Sequence, residues 1–271
     1  MIPIVTVHEK TLAQAYEKAL LGLYENGMEV ATDYDLPGDP LSKDCTILIV
    51  VDNPLEEPMI HRCFPGGLED LEEYRQEVLD GIKDEFVRNP DDPDDQRWLY
   101  TYHQRIKDQL PMIIEELVRN PFSRRSQFTT WDKDHDIHSE DPPCLQRGWY
   151  RCTKDEDGIL YLNGHISMRS NDAFKANFMN MFAFVMLQKR LAEELSSRLG
   201  CEVRVGQYTH FADSFHVYGK DLKNFENLFI RSVQNRTFEN RTYSLEFCEP
   251  FFDEAKPMIN EKVEKLRQNR E

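Results

Sequence analysis

Residues Thr11 to Gly27, TLAQAYEKALLGLYENG, carry apolar side chains at helical spacing and close on Asn-Gly, which predicts an amphipathic helix with its own stop signal. Asp44 to Pro54, DCTILIVVDNP, is a β-rich apolar run ended by Asp-Asn-Pro and predicts a buried strand. Two more helices are predicted at GLEDLEEYRQEVLDGIKDEFV, residues 67–87, and YHQRIKDQLPMIIEELVRNP, residues 102–121, the second with Pro111 in its interior. Strand patterns then dominate in RSQFTTW, LQRGWYRCT and ILYLNGHISMRS. The stretch from Asp172 to Gly200 predicts a long helix, nearly all apolar in its middle and amphipathic at its end. EVRVGQYTHFADSFHVYG returns to strand, and EAKPMINEKVEKLRQNRE predicts a charged terminal helix. Helices and strands interleave without regular βαβ alternation, so the expected fold is one α+β domain over residues 1–271, a mixed sheet packed by helices.

Composition narrows the function classes. With 271 residues, 40% of them hydrophobic and 11% aromatic, the chain can fill a sizeable core. A formal net charge of -16 argues against a general nucleic-acid surface, which needs a basic stripe to displace counterions. The acidic run NPDDPDDQ, residues 89–96, reads as a solvated face. Six cysteines at 45, 63, 144, 152, 201 and 248 form no CxxC pair and have no histidine at zinc spacing, so reduced thiols and no metal are expected. No apolar run approaches the roughly 20 residues a bilayer demands, and the first residues lack the features of a secretion signal, so a cytoplasmic protein without membrane contact is expected.

Candidate chemistry centres on DPPCLQRGWY, where Pro142 and Pro143 stiffen the approach to Cys144. Arg124 and Arg125 are adjacent in NPFSRRSQ; they read either as two surface arginines or as a pair kept together by a shared anion. In MRSND, Arg169 and Ser170 stand just before the long helix, where they can hold a phosphate or where Ser170, Asn171 or Asp172 can act as a cap. Asn177 and Asn180 interrupt an apolar helical run and must satisfy their amides, with backbone, with water or with the polar edge of a planar heterocycle. In ADSFHVYG, strand alternation puts His216 and Tyr218 on one face.

Taken in order, SRR, a Pro-Cys twenty residues after Arg124, RS.D, a helical Asn and D..H.Y resemble the thymidylate synthase and pyrimidine nucleotide hydroxymethylase superfamily, over about Tyr100 to Tyr218. The resemblance implies a thymidylate synthase-like domain in which Cys144 adds to C6 of a pyrimidine nucleoside monophosphate and C5 accepts a one-carbon unit from 5,10-methylenetetrahydrofolate or a related pterin. It implies Arg169 and Ser170 as phosphate ligands, and Arg124 and Arg125 reaching across a homodimer interface to the partner's phosphate. Asn180 then reads the base edge, Asp172 lines the pocket, and His216 and Tyr218 hold the sugar hydroxyl. Tyr102 corresponds to a pocket tyrosine. Arginines around the thiol are expected to lower its pKa. The acid-base carboxylate belongs on an early helix, where Glu69, Glu72 and Glu73 are available and Glu69, after the Gly-Gly turn, is preferred.

Departures from the synthase pattern bear on the last step. Leu145 replaces a histidine after the cysteine, an acidic TDYDLPGDPLSKD replaces a basic phosphate loop with only Lys43 to substitute, and the last residues, KLRQNRE, are too charged to seal a folate site. A site open to water favours a hydroxymethyl product, whereas exclusion of water protects a methylene for hydride transfer. Lys133 and Ala176 occupy positions near the pocket where the family varies. Together these imply a C5 hydroxymethylase of CMP or dCMP, with a thymidylate synthase acting on dUMP as the alternative. Asn180 argues for the alternative, since an amide suits uracil. A non-catalytic nucleotide binder would have no need of Cys144, and a cysteine hydrolase would want a histidine beside its thiolate.

Overall fold

The computed structural model describes residues 1–88 and 97–268; the acidic run 89–96 lies outside them, as do the last three residues of the charged tail. Nine strands and eight helices are defined among the described residues, with short 3-10 and π turns between them. The strands are β1 (Ile4–Glu9), β2 (Met28–Val30), β3 (Ser42–Val51), β4 (Ile60–His61), β5 (Gln127–Thr129), β6 (Leu145–Lys154), β7 (Leu160–Asp172), β8 (Val203–Val217) and β9 (Thr242–Tyr243). The helices are α1 (Leu12–Asn26), α2 (Leu68–Asp80), α3 (Tyr102–Ile106), α4 (Leu110–Arg119), α5 (Asn177–Leu199), α6 (Leu222–Phe225), α7 (Arg231–Asn235) and α8 (Leu245–Gln268).

The main sheet runs β1-β3-β8-β7-β6-β5, with β2 added beside β3, and β4 pairs separately with β9. It is mixed: β1–β3 and β7–β8 are parallel, while β3–β8, β7–β6 and β6–β5 are antiparallel. The α+β expectation is therefore met. The two parallel pairs require long crossovers, and α1 and α5 lie in the connections.

Local chemistry explains the ends of these elements. At the start of α1, Thr11 accepts from the Gln14 amide while the Gln14 side chain accepts from the Thr11 amide, a reciprocal capping box. The predicted helix 67–87 stops at Asp80, because Gly81 turns left-handed with φ 66°, where a side chain would also collide with the His103 ring. The predicted helix 102–121 is two helices. Pro111 sits in the first turn of α4, where an absent N–H costs nothing. The long helix begins at Asn177 rather than Asp172, because Asp172 completes β7. The last helix starts nine residues earlier than the pattern Glu254–Glu271 suggested and carries Pro250 and Pro257 within it.

The middle of α5 is apolar all round because it is enclosed: Phe178, Met181, Phe182, Ala183, Phe184, Val185 and Leu187 are all buried. This helix packs on β7 and β8 and against α2. Its first turns, the last residues of β7 and β8, and the first residue of β6 consequently meet at one end of the sheet.

Candidate active site

That end of the sheet encloses a cavity of about 500 Å3. Strand alternation turns Met168, Ser170 and Asp172 of β7 into it, and the register that pairs Asp172 with His216 brings β8 alongside. Met179 and Asn180 enter from α5, Ala176 from the residue capping its start, Tyr74 and Glu77 from α2, and Tyr102 from α3. Arg97, Trp98, Tyr100, Asp141 and Cys144 complete much of the remaining wall. The structure thus gathers Cys144, Tyr102, Ser170, Asp172, Ala176, Asn180, His216 and Tyr218 around one space.

The thiol is held by its own strand. Leu145 donates its amide to the Tyr102 hydroxyl at 3.3 Å, and the Cys144 carbonyl accepts from the Arg169 amide at 2.8 Å. The Arg169 guanidinium donates to the carbonyls of Pro143, at 3.1 Å, and Pro142, at 2.5 Å. Arg169 is therefore behind the cavity wall, bracing the Pro-Pro approach, rather than lining it. The thiol titrates above its ordinary value: burial raises it most, Arg169 lowers it and Asp141 raises it further. This reverses the expectation of a depressed pKa, because desolvation outweighs the single nearby guanidinium.

Asn180 accepts at Oδ1 from the Tyr74 hydroxyl at 2.5 Å. Burial pushes the Tyr74 phenol well above its usual pKa, so it stays a donor. Asn177, one turn earlier, is fully buried with both amide atoms unpartnered and does not line the cavity. Asp172 accepts at Oδ1 from the amides of Phe174 and Lys175, at 3.1 and 2.8 Å, which fixes the turn into α5. Burial nevertheless raises the pKa of its carboxyl, against those bonds and the nearby His216 and Lys175. His216 bonds through Nδ1 to Ser214, which donates in turn to Asp44. Its Nε2 is buried without a partner at the cavity wall, and Tyr218 packs edge-on against the imidazole at 4.6 Å between centroids.

Four expected residues are elsewhere. Arg124 and Arg125 are exposed and border a second cavity with Glu116, Arg119 and Arg151. The side chain of Lys133 is 83% exposed and paired with Asp134 at 2.5 Å. Glu69, in the first turn of α2, does not reach the Cys144 cavity. Neither do Glu72 and Glu73, which are buried against Arg75 and against Lys83 and Lys262. The α2 carboxylate that does line it is Glu77, held by Lys83 at 2.9 Å. Glu77 and Tyr74 are three residues apart, hence on one helix face, and that spacing was the available signal for both. Among the described residues no cluster of His, Cys, Asp and Glu is arranged to hold a metal, and no helix is long and apolar enough to cross a membrane.

Comparison with known proteins places the chain in a family. The chain is 26% identical over 228 residues to a Methanosarcina barkeri protein named provisionally as a thymidylate synthase, covering 82% of this chain and 93% of that one. A Methanocaldococcus jannaschii protein with the same provisional name is 27% identical over 229 residues, covering 79% and 91%. The fold is shared with thermostable thymidylate synthase A from Bacillus subtilis, with a TM-score of 0.54 at 17% identity, covering 82% of this chain and 84% of that one. A family model described as Thymidylate synthase matches residues 74–246, which include every residue lining the Cys144 cavity, and the chain belongs to that family of one-carbon transferases.

Proposed function

We propose that the protein transfers a one-carbon unit to C5 of a pyrimidine nucleoside monophosphate through a covalent bond from Cys144 to C6 of the base. The observation that carries this reading is the convergence of the Cys144 thiol, the Asn180 amide and the unpartnered His216 Nε2 on one cavity. Addition of the thiolate at C6 makes C5 electron-rich; once the carbon is attached, loss of the C5 proton and of the carrier leaves an exocyclic methylene, and after water or hydride adds to it the sulfur departs from C6 and the ring is restored. Asn180 reads the base edge, Asp172 and Ala176 shape the floor, and His216 and Tyr218 take the sugar hydroxyl. Ser170 lines the phosphate end, with Arg169 holding the Cys144 strand in place. Tyr102 steadies the amide next to the nucleophile, and Glu77, which lines the cavity where Glu69 does not, takes the acid-base role. When bound, 5,10-methylenetetrahydrofolate or a related pterin supplies the carbon, and Trp98, Leu99 and Met179 offer it apolar surface. Arg124 and Arg125 serve the partner's phosphate in a homodimer, and Lys133 belongs to the same second-subunit environment.

For the final step we favour water as the acceptor, giving a hydroxymethyl product of the CMP or dCMP type. Glu77 and Asp141 both border the cavity and can hold a water at the reacting carbon. The described part of the charged last helix contributes no residue to the cavity wall; Lys262 is instead paired with Glu73 of α2. A second reading, methylation of dUMP, is favoured by the Tyr74–Asn180 bond. With Oδ1 occupied, the amide presents its NH2 group to the base, which suits the 4-oxygen of uracil. Turning the amide round for cytosine leaves the buried Tyr74 proton without an acceptor, a cost of about 1 to 3 kcal/mol.

Release of tritium from C5 decides between them. The protein is incubated with methylenetetrahydrofolate and C5-labelled CMP, dCMP, UMP or dUMP, and products are weighed. Release from CMP or dCMP with gain of CH2O is the expected result. Release from dUMP with gain of CH2 and formation of dihydrofolate establishes the second reading, and release from none of the four overturns the covalent reading itself.

A further inference from the structure

A separate cavity of about 430 Å3 opens where the residues after β4 meet the helical turns between α6 and α7. Arg62, Arg231 and Arg236 line it, together with Cys63, Ser232 and Asn235. These three guanidiniums make the hollow basic in a chain of net charge -16, and Arg231 and Arg236 make no ion pair among the described residues. Arg62 is anchored: it donates to the Asn240 carbonyl at 3.1 Å and lies over the Tyr243 ring at 4.4 Å from its centroid.

Cys63, only 4% exposed, is at the base of this hollow, and the Ser232 hydroxyl beside it is buried with no hydrogen-bond partner. Behind the cysteine runs a fixed chain. The Cys63 amide donates to His61 Nδ1 at 3.1 Å, so the imidazole proton is on Nε2 and points to Glu17 at 3.0 Å, and Glu17 is clamped by Arg241 at 2.7 and 2.8 Å. Burial by itself raises the Cys63 thiol, but the polar side chains of His61 and Ser232 and the charge of Arg236 nearby outweigh it, and the thiol titrates below its ordinary value. The catalytic candidate Cys144 is shifted the other way.

We infer that this hollow is a modification site for small anionic disulfides: Arg231 and Arg236 hold the carboxylates of the incoming molecule while Cys63 is converted to a mixed disulfide. The Cys63 thiolate attacks one sulfur of the disulfide and a new S–S bond forms. The original S–S bond breaks, and the second half leaves as a thiolate that takes a proton from water. Cys63 is oxidised and the departing half is reduced, so no further oxidant is required, and excess free thiol reverses the reaction. The otherwise unpartnered Ser232 hydroxyl can hydrogen-bond to the departing sulfur, and Arg62 completes the cationic surroundings. The site is independent of the one-carbon chemistry, since none of its residues lines the Cys144 cavity.

The test treats the intact protein with oxidised glutathione at neutral pH and maps adducts by peptide mass spectrometry over time. The expected result is a first adduct at Cys63, ahead of the exposed Cys201 and of Cys144. In an Arg231→Gln, Arg236→Gln double variant the glutathione rate falls on the order of tenfold more than the rate with neutral hydroxyethyl disulfide, which senses only the change in the thiol. Cys63→Ser abolishes the first adduct and leaves the slow reaction at Cys201. First modification at Cys201 or Cys144 overturns the inference. So does an unchanged glutathione rate in the double variant, or equal slowing with the neutral disulfide, which would trace the effect to the thiol rather than to anion recognition.

Discussion

At the scale of single residues, the cavity sets a task for Cys144 that its surroundings make harder. Burial and Asp141 both favour the neutral thiol, and only Arg169 opposes them. Because the thiolate is the reacting form, activity at limiting nucleotide is expected to rise with pH through the alkaline range. Replacing Asp141 by Asn removes a negative charge beside the sulfur, stabilises the thiolate, and shifts the rising limb of the kcat/KM profile to lower pH. A limb that stays in place shows that another group governs it. Much of this site was legible in the sequence, because Cys144, Asn180, His216 and Tyr218 are marked by local context: a Pro-Pro lead, an amide in an apolar helix, a strand alternation. Tyr74 and Glu77 were not, since each is an ordinary member of a charged helix and acquires meaning only from what α5 brings opposite. Arg169 was legible as a cation but not as a brace, because its partners are backbone carbonyls 26 and 27 residues away in sequence.

At the scale of elements, sequence pattern located most helices and the long strands, and missed the short ones for a physical reason. β4 and β9 are two residues each and exist only because they pair with one another across 181 residues, for which no local periodicity can speak. Their junction is tied to α1 by Glu17, which His61 and Arg241 grip from β4 and from the turn before β9. Burial would raise that carboxyl, but the two hydrogen-bonding partners hold it down at about 2, against an ordinary 4.5. A depressed folded-state pKa gives stability that is full above about pH 4.5 and is lost as pH falls from there towards 2. The linked contribution is about 3 kcal/mol. Glu17→Gln is expected to lower stability by about that amount at neutral pH and to flatten the acid limb of a denaturant midpoint plotted against pH. A variant as stable as the parent at pH 7 would show that desolvation of the pair cancels its attraction.

At the scale of the whole molecule, the arginines that could serve a phosphate stand in separate places. Arg97 lines the Cys144 cavity and Arg169 is committed to the Pro142 and Pro143 carbonyls, while Arg124 and Arg125 face outward around another hollow. If a second copy completes the phosphate site, two inactive variants must complement each other. Cys144→Ala keeps the arginines, and a double Arg124→Gln, Arg125→Gln variant keeps the thiol. Mixed and allowed to exchange subunits, they are expected to regain about a quarter of parental turnover if random pairing makes half the dimers mixed, each with one intact site of two. Absence of recovery despite demonstrated exchange would assign the phosphate to residues of the same chain.

The order of strands in the sheet also bears on how the chain comes to be folded. β3 lies one strand in from the edge of the sheet, between β1, which is already made when it emerges, and β8, which supplies the facing register, Cys45 against Phe215, only some 170 residues later. During synthesis the apolar edge of β3 therefore waits, unpaired on one side, until nearly the whole catalytic half has been translated. Such an edge is available to wrong partners throughout that interval. Loop closure over this span also comes late and slowly, because its entropy is lost before the contacts form. The acidic surplus of the surrounding chain, by keeping nascent copies apart, protects that waiting strand.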